Sequence, residues 1–308
     1  MDGYGTLKKI LKYIPDLPGI NELIVYLSSV IYHKSLTFYF GNTLNAFLLR
    51  SKTRSHALSG YVDKVACKAH IAATAGSAHV IQTLGFWDER RILPLVDRWV
   101  FKSNDDFSGA LIFDRGVLID VKKVCFSGPI SCESTRDIVQ ALETFVSTKG
   151  ESPFHLTREA CYLGIRQRFF FEEVVSASAD AVIPVDEYKF HIVNGRIACV
   201  YLVLDRLGSN KRVIVDESGT RTHVVWCKLR DRHKFEGIEV VKVSDSFDVM
   251  KEVALKTSKG FRYVRVDVYV CSPPRVGELT FFHGSGLERI LPVEFDKKLG
   301  YMVNENVT

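Results

Sequence analysis

The chain has little of what most metal and nucleophile chemistries require. Its seven cysteines (Cys67, Cys125, Cys132, Cys161, Cys199, Cys227 and Cys271) contain no Cys-x-x-Cys pair. That argues against a zinc knuckle and against a disulfide framework. Reduced thiols in a cytoplasm are the plain expectation. The nine histidines form no His-x3-His pair and no His/Cys cluster. A Gly-x-Ser-x-Gly elbow for acyl hydrolysis is missing, and so is the Gly-x4-Gly-Lys-Ser/Thr phosphate loop. No apolar run reaches the roughly 20 residues of a membrane span, because His33 and Lys34 interrupt the greasiest stretch, Leu23–Tyr32. Met1–Pro15 lacks the apolar core of a secretory signal. The N-terminal apolar helix can lie on a bilayer or a partner, with burial in a core the plainer reading.

What is there suits a globular chain. Of 308 residues, 46% are apolar and 25% charged, which excludes disorder. Forty-one Lys and Arg stand against 36 Asp and Glu. So mild a surplus does not by itself imply nucleic acid, and it fits anionic small molecules or an anionic membrane surface. Residues 1–75 read as helices at Thr6–Ile14, Asn21–His33, Asn42–Arg50 and Asp63–Ala73. Short strands follow at Arg98–Lys102 and Ala110–Phe113. Ser134 with Asp137 caps a helix that Gly150 closes. Arg168–Val175 reads as a strand, and Tyr188–Val193 and Arg196–Leu204 flank the hairpin turn Asn194-Gly195. A helix through Phe247, Met250, Ala254 and Thr257 ends at Gly260. Mixed helices and antiparallel hairpins predict an α+β or α/β chain with more than one lobe.

The most informative segment is the pair of strands Phe261–Val270 and Val276–Phe282. Val264, Val266, Val268 and Val270 share one face, and Tyr263, Arg265, Asp267 and Tyr269 share the other. A tight loop at Ser272-Pro273 sets Asp267 opposite Glu278. A four-residue loop sets it opposite Thr280, with Glu278 diagonal. Either way Arg265, Asp267, Glu278 and Thr280 share a face, whereas an odd-length loop flips the second strand. Two carboxylates and a hydroxyl beside a cation suit Mg²⁺ bound to phosphate. A solvated strand face with a salt bridge is the plainer alternative.

Other pieces are weak singly. Lys102 ends a strand before the polar loop Ser103–Gly109. Phe169-Phe170-Phe171-Glu172-Glu173 is an apolar strand ending in acids. Lys189 lies between aromatics on a hairpin, Lys64 and Lys68 are spaced to share a helix face, and His283 adjoins Gly284-Ser285-Gly286. Each also reads as ordinary core, turn or solvated surface.

Their order, however, resembles the ATP-grasp ligases, and among them the TupA-like family of teichuronopeptide biosynthesis. The matches are Glu187-Tyr188-Lys189-Phe190 with Asn194-Gly195, and Arg265-Val266-Asp267-Val268-Tyr269 followed by Gly277-Glu278-Leu279-Thr280 and Ser285-Gly286. The likeness covers roughly residues 60–300.

It implies a mainly helical region at 1–60, then two α+β lobes at 61–170 and 171–308 that clasp ATP. By position, Lys64, Lys102 and Lys189 would contact ATP, with Ser103, Asn104, Ser108 and Gly109 in the closing loop. Glu172, Glu173 and Val175 would line the adenine hinge, and Glu187 would hold the ribose. Asp267, Glu278 and Thr280 would hold Mg²⁺. Arg265 would face an acyl phosphate, with Lys189 assisting and His283, Ser285 and Gly286 near substrate. The loop departs from relatives by carrying Asp105 and Asp106.

The implied activity is ATP-dependent joining of a carboxylate and an amine. The implied partners are a uronic-acid glycan or sugar nucleotide and an amino acid. The implied setting is cytoplasmic polysaccharide biosynthesis, at the inner membrane face or with a glycosyltransferase. A kinase on the same fold and an inactive nucleotide-binding scaffold remain open, as does the oligomeric state.

Overall fold

The protein is described here by a computed structural model over residues 14–106, 109–120, 130–149, 152–176, 185–204, 210–237 and 240–305. The expected helix at Thr6–Ile14, except its last residue, lies outside these residues, as do Ser108 and Gly150.

Among the described residues the longer opening helices are α1 (Pro18–His33), α2 (Leu44–Ser51) and α3 (Cys67–Thr74), with a single helical turn at Ser59–Val62 between the last two. Strands β1 (Thr83–Trp87), β2 (Arg98–Ser103), β3 (Leu111–Asp114), β4 (Val117–Asp120) and β5 (Ile130–Ser131) precede α4 (Thr135–Thr148). Next come β6 (Phe169–Glu172), β7 (Glu187–Val193), β8 (Arg196–Leu204), β9 (Lys211–Val215) and β10 (Val225–Cys227). The chain continues with α5 (Phe247–Thr257), β11 (Tyr263–Tyr269), β12 (Arg275–Thr280), β13 (Arg289–Leu291) and α6 (Val293–Asn304).

Two antiparallel sheets result. One runs β1-β6-β2-β3-β4-β5 and the other β12-β11-β7-β8-β9, with β10 and β13 forming a separate pair. Alternation in β2 explains the first core. Trp99 and Phe101 point inward and pack with Phe113, Leu142 and Phe145, the last two from α4. Burying each such side chain stabilises by about 1.5–3 kcal/mol. The helix α4 starts as expected: Asp137 N donates to Ser134 Oγ and Ser134 N to Asp137 Oδ2.

The second core is larger. Val264, Val266 and Val268 of β11 meet Phe247, Met250, Val253 and Ala254 of α5, on one face at helical spacing. Leu44 and Leu48 of α2 and Cys67 and Ile71 of α3 join this core, not the first. Asn194 and Gly195 both take positive φ in the β7–β8 turn, as that dipeptide predicts. The opposite face of β11 is also covered: Tyr263, Arg265 and Asp267 are buried. A solvated strand face is therefore excluded. Among the described residues no helix is long and apolar enough to cross a membrane.

Candidate active site

β11 lies between β12 and β7, so its outward residues have partners on both sides. Asp267 faces Glu278 on β12 and Lys189 on β7, and Arg265 faces Thr280 and His191. The pairing of Asp267 with Glu278 is reached by an unexpected route. Tyr269 pairs with Arg275, which leaves a five-residue loop at 270–274. With unbroken register that odd loop would set Glu278 opposite Val266, facing the core. One extra residue, Gly277, enters β12 as a bulge and turns Glu278 back to the polar face. A Cβ at Gly277 would lie 2.8 Å from Tyr269 Cε2, so a side chain there displaces the Tyr269 ring.

The charges interlock. Arg265 donates from Nε to Asp267 Oδ1 at 2.6 Å and from Nη2 to Asp267 Oδ2 at 2.7 Å. The same Nη2 reaches Glu278 Oε1 at 2.8 Å. Lys189 Nζ donates to Asp267 and lies 2.6 Å from Glu187 Oε2. Lys64 Nζ stands 4.0 Å from Glu278 Oε2. The first sheet contributes Glu172, which takes Lys68 at 2.7 Å and also Lys102. Both ammonium groups flank the buried Phe170 ring.

Burial pushes the Asp267 carboxyl up to about 6 despite Arg265 and Lys189. Burial also opposes charge on Glu278, but Lys64, Arg265, Lys189 and Lys102 outweigh it and hold that carboxyl well below its ordinary value. Lys64, Lys68, Lys102, Lys189 and Arg265 thus meet Glu172, Glu187, Asp267 and Glu278 where the sheets face each other. A polyanion entering here finds cations whose present partners are carboxylates. Among the described residues, no three His, Cys, Asp or Glu side chains converge on a metal position. Two carboxylate donors do fit Mg²⁺, which takes few protein oxygens and completes its shell with phosphate and water.

The polar loop after β2 is bonded within the protein. Asn104 is fully buried, and its Nδ2 donates to Asp63 Oδ2 at 2.8 Å and to Arg166 O at 3.3 Å. Its amide donates to Arg168 O, leaving no donor for phosphate. Ser103 Oγ donates to Asp105, which also accepts from Gln167. Asp106 is held by Lys149 at 2.6 Å, and its carbonyl accepts from Lys64. Both unexpected acids therefore have partners of their own. Gly109 follows with positive φ. Glu172 sits between lysines rather than at a free hinge, and β6 ends there. Glu173 accepts from Gln82 N at 2.9 Å, and Val175 follows outside the strand.

The substrate loop is also partly redirected. His283 stays in the site, its Nδ1 accepting from Arg265 Nη1 at 2.6 Å, so the proton of a neutral ring lies on Nε2, 3.2 Å from Glu288. Ser285 instead turns inward: its Oγ and carbonyl accept from Lys52 Nζ at 2.8 and 3.1 Å. Gly286 packs on α2, where a Cβ would meet Leu49 Cγ at 3.0 Å and Asn45 O at 3.2 Å. Burial pulls Lys52 down to about 8 and pushes its neighbour Glu159, which bonds Ser285, up to about 7.

Sequence reasoning missed this Lys52–Glu159 pair, and it missed His191, whose ring lies 4.2 Å from Trp226 and whose Nδ1 meets Tyr263 OH at 2.9 Å. Nothing in their spacing marks them. Lys68 had a signal, its four-residue offset from Lys64, although Lys64 lies in the turn before α3 rather than on the helix.

A family model described as TupA-like ATP-grasp matches residues 42–304, and the chain belongs to that family. The expectation of an ATP- and Mg²⁺-using ligase agrees with this membership. Among solved structures, the ATP-grasp ligase PsnB complexed with minimal precursor, Mg and ADP is 12% identical, with a TM-score of 0.38 over 82% of this chain and 61% of that one. D-alanine–D-alanine ligase from Bacillus anthracis is 14% identical, with a TM-score of 0.39 over 79% and 68%. An L-amino acid ligase from Bacillus licheniformis is 8% identical, with a TM-score of 0.37 over 78% and 45%. The chain spans about three fifths of the length of PsnB. No curated protein matches the chain.

Proposed function

We propose that the protein is an ATP-dependent carboxylate–amine ligase working through an acyl phosphate. The observation that carries this reading is the double row on β7, β11 and β12, Lys189–Asp267–Glu278 beside His191–Arg265–Thr280. It puts a metal-type acid pair one residue pair away from an arginine fork.

In this reading Asp267 and Glu278, with Thr280 beside them, hold Mg²⁺, which when bound offsets charge on the phosphate oxygens. Lys64, Lys102 and Lys189 bind the phosphates, and Lys68 supports Lys102 through Glu172. Arg265, held by Asp267, Glu278 and His283, keeps one Nη1 N–H for the acceptor carboxylate and for the phosphoryl group it receives. The fork is charged at any working pH, because burial acts to lower it but Asp267 and Glu278 outweigh burial and raise it. Such fixed donors stabilise charge that develops during transfer. An amine then displaces phosphate and forms the amide, so no enzyme nucleophile is required. Glu187 is assigned to the ribose, and Glu173, Val175 and Gly109 to the surroundings of the nucleotide.

The proposed substrates are a uronic-acid sugar, free or in a glycan or sugar nucleotide, and an amino acid. The proposed setting is cytoplasmic cell-surface polysaccharide assembly, the association implied by the family's namesake. The test is ADP release with uronic-acid derivatives, with and without added amino acids. Release that depends on both supports ligation, whereas amine-independent release with a stable phosphorylated sugar supports a kinase instead.

A further inference from the structure

The loop that carries His283 is held from outside both sheets. Gly284, Ser285 and Gly286 take φ of 56°, 58° and 71°, three successive left-handed residues. Ser285 does so with a side chain, which that region disfavours. Such a backbone persists only where its surroundings over-determine it. Lys52, in the turn after α2, supplies the hold. Its Nζ donates to the Ser285 carbonyl at 3.1 Å and to Oγ at 2.8 Å, fixing both the peptide plane and the rotamer. The hydroxyl, having accepted from Lys52, keeps its proton for Glu159, which comes from the segment before β6. His33, in the last turn of α1, contacts the Gly286 carbonyl at 3.2 Å.

Stability is a poor explanation for this pair. Lys52 and Glu159 are 2% and 3% exposed. Taking two charges out of water costs so much that an apolar pair of similar volume is often as stable or more so. An apolar pair, however, cannot hold a carbonyl and a hydroxyl in fixed directions. Two residues before Ser285, His283 Nδ1 accepts from Arg265 Nη1 at 2.6 Å. Ser285 N donates to Phe282 O at 2.7 Å, which ties the clamped peptide to the residue before His283.

We infer that Lys52, with Glu159, is a positioning residue: it locks the left-handed turn at Ser285 and, through His283, aims the Nη1 N–H that Arg265 keeps for the acceptor carboxylate. The segment before residue 60 thereby serves the candidate site from behind its loop. The part that concerns the acceptor rests on the ligase reading, whereas the effect on His283 does not.

The experiment compares the parent with two variants. Lys52→Met/Glu159→Leu replaces both charges at similar volume, and Ser285→Gly suits the positive φ and removes only the hydroxyl. Both should melt near the parent. With ¹⁵N-labelled histidine, and His283→Gln to assign the signals, the parent should show His283 protonated on Nε2 and bare on Nδ1. The double variant should lose that single-tautomer signature, and Ser285→Gly should shift it less. ATP affinity by calorimetry should match the parent, while kcat/KM for the carboxylate falls at least roughly tenfold in the double variant. An unchanged His283 signature in the folded double variant overturns the inference, as does unchanged kcat/KM. If the double variant does not fold, an unchanged signature in Ser285→Gly overturns it equally. Loss of ATP affinity in step with kcat/KM also overturns it, because that marks general loosening. A parent without carboxylate-dependent ADP release sinks the ligase reading alone, and the histidine signature then decides the inference.

Discussion

Asp267→Asn and Glu278→Gln should both abolish MgATP turnover while costing the fold unequal amounts. Asp267 is fully buried and accepts three charged bonds, two from Arg265 and one from Lys189. Breaking a buried pair costs about 3–5 kcal/mol, because the surviving charge is left unpaired. Here Glu278 and Glu187 still hold Arg265 and Lys189, which places the loss near the lower end, at about 3 kcal/mol. Glu278 accepts a single bond from Arg265, and its side chain is 32% exposed. Lys64, Lys189 and Lys102 also favour its charge, but solvent at its exposed edge screens these attractions to about 1 kcal/mol. In a chain of this size each kcal/mol moves the melting temperature by about 2 °C, so the expected drops are about 6 °C and about 2 °C. ADP release at saturating Mg²⁺ and a thermal melt on the same samples separate the two effects. Near-normal rates in either variant would refute the metal assignment, and equal melting shifts would refute the reasoning from burial.

Lys102→Met and Lys189→Met should each weaken ATP binding by about 1–3 kcal/mol, measured by calorimetry, and unchanged affinity in both would remove phosphate from their role. Gly277→Ala should lower turnover by crowding the Tyr269 ring beside the bulge that aims Glu278, while ATP still binds; full activity would show that the bulge does not set the site. Mg²⁺ affinity of the nucleotide-free protein should fall as pH drops through about 6, because the raised Asp267 carboxyl gains its proton there and the proton competes with the metal. An affinity that stays flat to about pH 5 would contradict this.

The second sheet was legible because its signals are local. The valine alternation of β11, the Asn194-Gly195 turn and the 3.6-residue spacing of α5 each depend on neighbours in sequence. The shared face of Arg265, Asp267, Glu278 and Thr280 was legible only conditionally. An odd loop should have destroyed it, and no pattern announces that Gly277 is a bulge rather than a paired residue.

Long-range partners were not legible. Asn104 looks like a free loop donor until the fold brings Asp63, Arg166 and Arg168 around it. Ser285 looks like a substrate contact until Lys52 and Glu159, more than a hundred residues apart in sequence, meet beneath it. The placement of α2 and α3 in the second core is likewise invisible to periodicity, which reports that a face is buried and not against what.

The central claim is transfer of phosphate to a substrate carboxylate held at Arg265. The most direct measurement uses a uronic-acid substrate labelled with ¹⁸O in its carboxylate, together with an amino acid and MgATP. The acyl-phosphate route predicts that one labelled oxygen leaves with inorganic phosphate for each amide formed, and that ADP is the nucleotide product. Label retained wholly in the amide, or AMP and pyrophosphate as products, would contradict it.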